Sequence, residues 1–180
     1  MEPTWGGEGR RLEALPAVAV RSIRPDDDVA LRAFHSRLSD DTIRNRFFGA
    51  HPTLGAAEAR RFTDLDPGTA AALVATTGVD IVGVGRYVRV GTAPVAEVAF
   101  VIEDGFQGHG LGTELLTLIS RIAWGDGIRR FVADTFAVNR AMLDVFFNTP
   151  QAVTVASTRR DGSVTHLVMT LTPPPGITHA

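Results

Sequence analysis

The apolar positions change their period several times along the chain, and each change marks an element. AVAVRSIR (17–24) reads as a strand. Pro25 and the three aspartates behind it mark a helix start. Val29, Leu31, Phe34 and Leu38 then recur at helical spacing, which predicts a helix over 26–38. Ser39 stands as the N-cap of a second helix, DDTIRNRFF, closed by Gly49. A third short helix is expected over Ala56–Phe62. AALVATT (71–77), a turn at Gly78 and DIVGVGRYVRV (80–90) form a hairpin with alternating Val82, Val84, Val88 and Val90. VAEVAFVI (95–102) is apolar on both faces, as a central strand should be.

Beyond it, Leu111, Leu115, Leu116, Ile119, Ile122 and Ala123 form one helical stripe, ended by Gly125 and Gly127. RFVADTF (130–136) is a strand, and NRAMLDVFF (139–147) is a helix that Asn139 can cap. QAVTVASTRR and GSVTHLVMTLT, split by Asp161-Gly162, close the chain as a hairpin. The order is mixed α/β, with a meander of three strands, and not a doubly wound sheet.

Composition narrows the picture. The 180 residues, 44% hydrophobic, suit one compact domain. It is expected over 17–172, between a glycine-rich N-terminal tail (1–16) and a C-terminal tail (173–180) broken by three prolines. A net charge of −2 argues against a nucleic-acid surface. Without cysteine there is no disulfide, thiolate metal site or cysteine nucleophile. No apolar run is long enough to span a bilayer, and Glu13 and Pro16 spoil a signal peptide. A cytoplasmic protein, with no membrane partner, is the expectation. All 18 basic side chains are arginine, so no lysine here can itself be acylated.

The candidate chemistry lies in QGHGLG (107–112), between the central strand and the striped helix. Glycines permit φ > 0, so successive N–H groups can converge on one point, and the helix dipole adds positive charge there. That makes an anion site, with phosphate as the obvious guest. A P-loop is excluded, because no Lys-Ser or Lys-Thr follows. The dinucleotide fingerprint fails at its third glycine, where Thr113 stands, although Asp134 keeps a nicotinamide cofactor as a distant alternative. The pattern Q/R-x-x-G-x-G/A is met by Gln107, Gly108, His109, Gly110, Leu111 and Gly112.

With AEVAFVIEDGF before it and NRAMLDVFF after it, this stretch resembles the GNAT superfamily of acyl-CoA-dependent N-acyltransferases. The resemblance runs from about residue 18 to 171. It implies a mostly antiparallel central sheet, splayed at the acyl-CoA site and flanked by helices. It implies that the amides of 107–113, Thr113 included, hold the coenzyme A pyrophosphate, and that Phe100, Val101 and Ile102 face the pantetheine arm. One of their N–H groups would polarise the thioester carbonyl. Asn139 sits where the family often contacts coenzyme A. Acetyl-CoA is then the co-substrate, and no metal is implied. His109 reads as an exposed loop residue, and His35, His51, His166 and His179 show no metal-ligand spacing.

N-acylation needs a neutral amine, hence a proton acceptor. Glu97 is the candidate: it lies in VAEVAFVI on a face otherwise apolar, where a carboxylate would be desolvated and hold a proton more readily. The alternative is a strand glutamate paired with an arginine. AEVAF is also similar to the central strand of protein-lysine acetyltransferases, whose matching glutamate is the base. Glu103 is second choice. Many GNAT enzymes protonate the leaving thiolate with a tyrosine after the last motif helix, but here that segment is DVFFNTPQAV and the sole tyrosine is Tyr87.

VRSIRPDDDVALRAFHSRLSDDTIRNRFFG resembles the opening of the GNAT domain in bacterial Pat-type protein-lysine acetyltransferases, though neither domain usually attached to it is present in these residues. A protein lysine is therefore the leading acceptor, by direct attack in a ternary complex. A small-molecule amine comes next, and a non-catalytic acyl-CoA-binding regulatory module is the alternative of another class. Asp26–Asp28, Asp40, Asp41, Asp64 and Asp66 could attract a cationic amine, while Arg44 and Arg46 read as surface residues. The chain is expected to be a monomer or homodimer.

Overall fold

The computed structural model describes residues 17–175. The expected N-terminal tail and residues 176–180 of the C-terminal one lie outside the described residues. In chain order the elements are β1 (Ala19–Ser22), α1 (Asp28–Arg37), α2 (Asp40–Phe47), α3 (Ala56–Thr63), β2 (Ala70–Thr77), β3 (Asp80–Arg89), β4 (Val95–Ile102), α4 (Leu111–Gly125), β5 (Arg130–Phe136), α5 (Arg140–Phe147), β6 (Val153–Asp161) and β7 (Val164–Leu171). The strands form one seven-stranded sheet in the order β1-β2-β3-β4-β5-β7-β6. Every neighbouring pair is antiparallel except β4–β5, which α4 joins as a crossover and which is parallel.

Each sheet face has its own helix layer. On one face, the α4 stripe packs Leu111, Leu115, Leu116, Ile119 and Ala123 against Leu73, Tyr87, Val98, Phe100 and Phe131. Each large aliphatic chain fully buried there contributes about 1.5–3 kcal/mol of transfer free energy. On the other face, Leu31, Phe34 and Leu38 of the α1 region, Ile43 of α2 and Ala59 of α3 cover Val74, Ile81 and Val84.

Several local readings change. The first helix starts later than its apolar pattern: Pro25–Asp27 is a 3-10 turn and α1 begins at Asp28. The cause is Asp27, whose carboxylate takes both Arg21 guanidinium nitrogens at 2.7 Å and the Arg24 amide at 2.7 Å. The hydrogen bonds from Arg21 hold the Asp27 carboxyl below its ordinary range, against the opposing effect of burial. Val29, counted in the stripe, is 67% exposed. β1 is shorter than the strand read over 17–24. Alternation in the hairpin is broken by a bulge opposite Ala75/Thr76, so Val82 packs in the α4 layer and Val84 in the other. Ser39 does cap α2, its hydroxyl accepting from the Thr42 amide at 3.2 Å. The left-handed residue that ends α2 is Phe48 (φ 57°), not Gly49.

Candidate active site

β4 and β5 are in register only from Val95↔Arg130 to Glu97↔Val132, and then part. The pairing of β4 with β3 tells which backbone groups are left free. Glu103 N–H donates to Val82 O at 2.9 Å, and Val90 N–H to Val95 O at 2.9 Å, so the odd residues of β4 bond toward β3. By alternation Val98, Phe100 and Ile102 aim their N–H and C=O groups at the parted edge. Of the three residues expected to face the acyl-CoA arm, Phe100 and Ile102 therefore present backbone there. Val101 is bound to Val84 of β3 and lines the cleft otherwise. The opening is a cleft of about 620 Å³ that collects Glu97, residues 98–102, the glycine loop, Thr135 and Asn139.

At its far end the loop is built as a cradle. Gly108 (φ 77°) and Gly110 (φ 82°) both hold left-handed backbone, which the glycines allow without a Cβ clash. Gly110 sits at the N-cap of α4 with no side-chain cap, and Glu114 N–H is the first to bond back to it, at 3.0 Å. The amides of Leu111, Gly112 and Thr113 thus lack intrahelical acceptors and carry the positive end of the dipole. A Cβ on Gly112 would lie 3.1 Å from a Val145 methyl and 3.4 Å from Ile102 Cδ1, so glycine lets α4 start against both β4 and α5. Gln107 is not free to bind a ligand with its amide NH2: that group donates to Ile102 O at 2.9 Å and Thr42 Oγ1 at 3.1 Å. It locks the loop to the strand and to α2. Asp104 adds a second tie, accepting from Ser39 N–H and Oγ and from Thr42 Oγ1. Burial pushes the Asp104 carboxyl up, but these bonds together outweigh it and leave it low. His109 is exposed and does not line the cleft.

Glu97 stands at the other end, at the last position of β4 that pairs with β5. It lines the cleft but is exposed, so the apolar, desolvated setting expected for it is not what surrounds it. Neither is it in an ion pair with an arginine, among the described residues. Glu103, the second choice as base, is engaged: Arg37 Nε approaches both its oxygens at 3.2 Å and Nη2 one of them at 3.0 Å.

The sheet face around Glu97 is not acidic. Arg46 of α2 lines the same cleft, and Arg86 of β3 lies on Glu97's face, paired with Ala99. Both are half-buried. Arg46 is therefore no surface residue. Desolvation, with help from the like charge of Arg86, pushes its pKa down to about 10, and Glu97 opposes the fall. Helical spacing held the signal: Arg46 is three residues after the buried Ile43 and so shares its face. The aspartates expected to draw a cationic amine do not line the cleft. Asp27 is bound to Arg21, Asp28 to Arg60 at 3.8 Å and Asp41 to Arg44 at 3.2 Å.

Asn139 does two jobs at once. Its side-chain oxygen accepts from Met142 N–H at 3.2 Å, capping α5, and it lines the cleft. Tyr87 is removed from the cleft altogether. It is fully buried on the α4 face, bonded through its hydroxyl to Asp126 and tilted against Phe131. Burial first, then Asp126, holds its phenol far above the normal range, so it cannot serve as the missing acid.

One polar residue of the cleft has no counterpart in the sequence reading. Thr135 is 1% exposed, and its Oγ1 finds no partner among the described residues. An unmet buried hydroxyl destabilises the fold and has a hydrogen bond to offer a ligand. Thr135→Val should therefore move two quantities in opposite directions. Melting should rise by a few degrees, since removing an unmet buried hydroxyl returns about 1 kcal/mol. Acetyl-CoA affinity should fall by roughly three- to tenfold, the worth of one hydrogen bond. Thermal denaturation and calorimetry on one preparation check both signs.

A splayed parallel pair ending on a glycine cradle, with a carboxylate at the fork, defines an acyl-CoA-dependent acyltransferase. The chain belongs to the GNAT acetyltransferases: the family's description, "Acetyltransferase (GNAT) domain", matches residues 18–148. It is 32% identical over 132 residues to acetyltransferase PA5475 of Pseudomonas aeruginosa, covering 71% of each chain. It is similar to the solved GNAT domain of S. lividans PAT, with 34% identity and a TM-score of 0.77 over 86% of this chain and 90% of that one. The fold is shared more widely. A putative acetyltransferase from Salmonella typhimurium, yncA, solved with acetyl-CoA, superposes with a TM-score of 0.62 at 17% identity, covering 86% and 93% of the two chains. Among the described residues no helix is long and apolar enough to cross a membrane.

Proposed function

We propose that this enzyme acetylates the ε-amine of a protein lysine, with Glu97 as general base. The observation that carries the reading is the arrangement of one cleft. An open backbone edge (Val98 C=O, both groups of Phe100 and the Ile102 N–H) runs from a carboxylate at the fork to an anion cradle at 107–113. That edge matches an extended acyl-pantetheine arm, which can bond as an added strand. The cradle would take the pyrophosphate, and Thr135 and Asn139 line the path between.

In this reading the amine nitrogen attacks the thioester carbon. Phe100 N–H, aimed at the parted edge, donates to the oxygen on which charge develops. Glu97 takes the proton the nitrogen sheds, directly or through a water, which its exposure admits. The C–S bond breaks, and coenzyme A leaves as a thiolate that draws its proton from solvent. A thiolate leaves readily without an acid, so the missing tyrosine removes a convenience and not the reaction. Support for a protein acceptor comes from the opening 30-residue resemblance and from the similarity to the S. lividans PAT domain.

The test begins with calorimetric titration of acetyl-CoA, with coenzyme A and NAD as parallel ligands. Acetyl-CoA should bind and NAD should not. Thiol release is then followed on a panel of lysine peptides and small amines. Neither assay has a protein background: the 180 residues hold no cysteine to react with the thiol reagent and no lysine to be acetylated. Lysine peptides turned over faster than small amines support the reading. Tight binding with no turnover on any amine would make the protein an acyl-CoA-binding module instead.

A further inference from the structure

Among the described residues, every arginine but Arg46 and Arg86 is either exposed or has a polar partner. Arg21 pairs with Asp27 at 2.7 Å, Arg37 with Glu103 at 3.0 Å, and Arg89 donates to Gly68 O and Asp126 O. Arg46 and Arg86 stand apart. Both are half-buried, yet neither makes an ion pair or a side-chain hydrogen bond among the described residues. Each instead lies over an aromatic ring, Arg46 at 5.1 Å from Phe47 and Arg86 at 4.7 Å from Phe62.

Their position gives this meaning. Arg46 lines two recesses at once: the catalytic cleft, with Glu97, and a smaller apolar one behind it that also holds Arg86 and is walled by Phe47, Phe62, Ala99 and Val101. The carboxylate that senses both arginines is that of Glu97, beyond ion-pair distance. Asp134, also in the cleft, is already bonded to His166 at 2.6 Å. Asp144 of α5 also lines the cleft, but Glu97 is the carboxylate that both guanidiniums feel, so the balance immediately around the two arginines is positive. A half-buried cation without a partner is costly, and desolvation already depresses both arginines. A guanidinium stacked on a ring keeps its edge N–H groups free, the groups that take a carboxylate in a fork.

Resting on the acetyltransferase reading, we infer that Arg46, backed by Arg86, forms an anion subsite in the acceptor cleft, so that the favoured acceptor carries a carboxylate close to its amine. The carboxylate has two sources, an acidic residue flanking a lysine in a peptide or the α-carboxylate of a free amino acid. A neutral or basic neighbour would leave the arginines unmet or repel them.

The experiment compares kcat/KM for matched acceptors. The peptide arm uses terminally blocked lysine peptides differing only by Glu or Gln, and Asp or Asn, beside the lysine. The amino-acid arm sets free lysine against lysine amide, and glutamine against glutamine amide. The wild-type enzyme should favour the carboxylate member of a pair by about tenfold. In R46Q the ratio should fall toward one, in R46K it should fall part of the way, and in R86Q it should fall less than in R46Q. The ratio is the readout because a change in Glu97's surroundings moves both members of a pair together. Calorimetry of acetyl-CoA on the same variants should give an unchanged Kd. The arm with the larger ratio names the source of the carboxylate. Equal rates for both members of every pair would overturn the subsite while leaving the acetyltransferase reading intact. So would a ratio that survives R46Q, or an acetyl-CoA Kd that rises with R46Q, which would move the anion to coenzyme A. Absence of turnover on every amine would overturn both readings.

Discussion

Glu97→Gln is expected to lower kcat by about 10²- to 10⁴-fold, the usual worth of a positioned base. The Kd for acetyl-CoA should stay within about twofold, because in the proposed reading acetyl-CoA is held by backbone and loop amides that the substitution does not touch. Glutamine keeps the size and the oxygen of glutamate but cannot accept the proton. The variant should therefore act only on amine that is already neutral. Its rate should keep climbing with pH toward the ordinary lysine value near 10.4, where the wild type has levelled off. A pH–rate profile on one lysine peptide separates this from misfolding, which would lower the whole curve without changing its shape. If kcat holds within threefold and the profile is unchanged, proton removal belongs to solvent or to another group, and Glu97 is a strand residue at a cleft mouth. The structure makes the result informative, since Glu103, the second choice as base, is held by three contacts to Arg37 and does not line the cleft.

Most of the fold was legible because apolar period tracks burial. The α4 stripe, the β4 run and the closing hairpin are written in long periodic segments, and the structure follows them. What escaped lies where a local bond overrides period. Asp27 delays α1 by binding Arg21, the bulge at Ala75/Thr76 inverts Val82, and Phe48 takes the left-handed place before Gly49. The cradle was legible for the same reason glycines usually are: Gly108 and Gly110 hold conformations that other residues take at a cost. The acceptor side was not. Whether Glu97 is desolvated depends on which side chains stand over it, and those come from α2 and β3, some 50 residues and 11 residues earlier in the chain. A strand's own sequence cannot say that two arginines share its face. Thr135 was equally invisible, since a threonine in RFVADTF looks like any strand threonine until its hydroxyl is found without a partner.

Gly112→Val should weaken acetyl-CoA by about 100-fold, with a smaller loss of stability. Gly112 needs no left-handed backbone; its role is closeness. Even a bare Cβ would sit 3.1 Å from Val145 Cγ2 and 3.4 Å from Ile102 Cδ1, so alanine already asks its neighbours to give by a few tenths of an ångström. Valine adds two methyls where the end of β4 and α5 meet the first turn of α4. The strain has two outlets. Part appears as overpacking, about 1–3 kcal/mol, which for a domain of this size lowers melting by several degrees. The rest moves the first turn of α4 away from β4, so the amides of 111–113 no longer converge with the loop on one phosphate site. Several charge-assisted bonds then lengthen together, and two decades of affinity correspond to about 2.8 kcal/mol, a plausible share of such a site. Gly112→Ala is the graded control and should fall between the wild type and valine in both readouts. Calorimetric Kd and melting temperature, taken on all three proteins, decide the matter. If melting drops while acetyl-CoA binds as before, the glycine serves helix packing alone, and the phosphate is held elsewhere than at the start of α4.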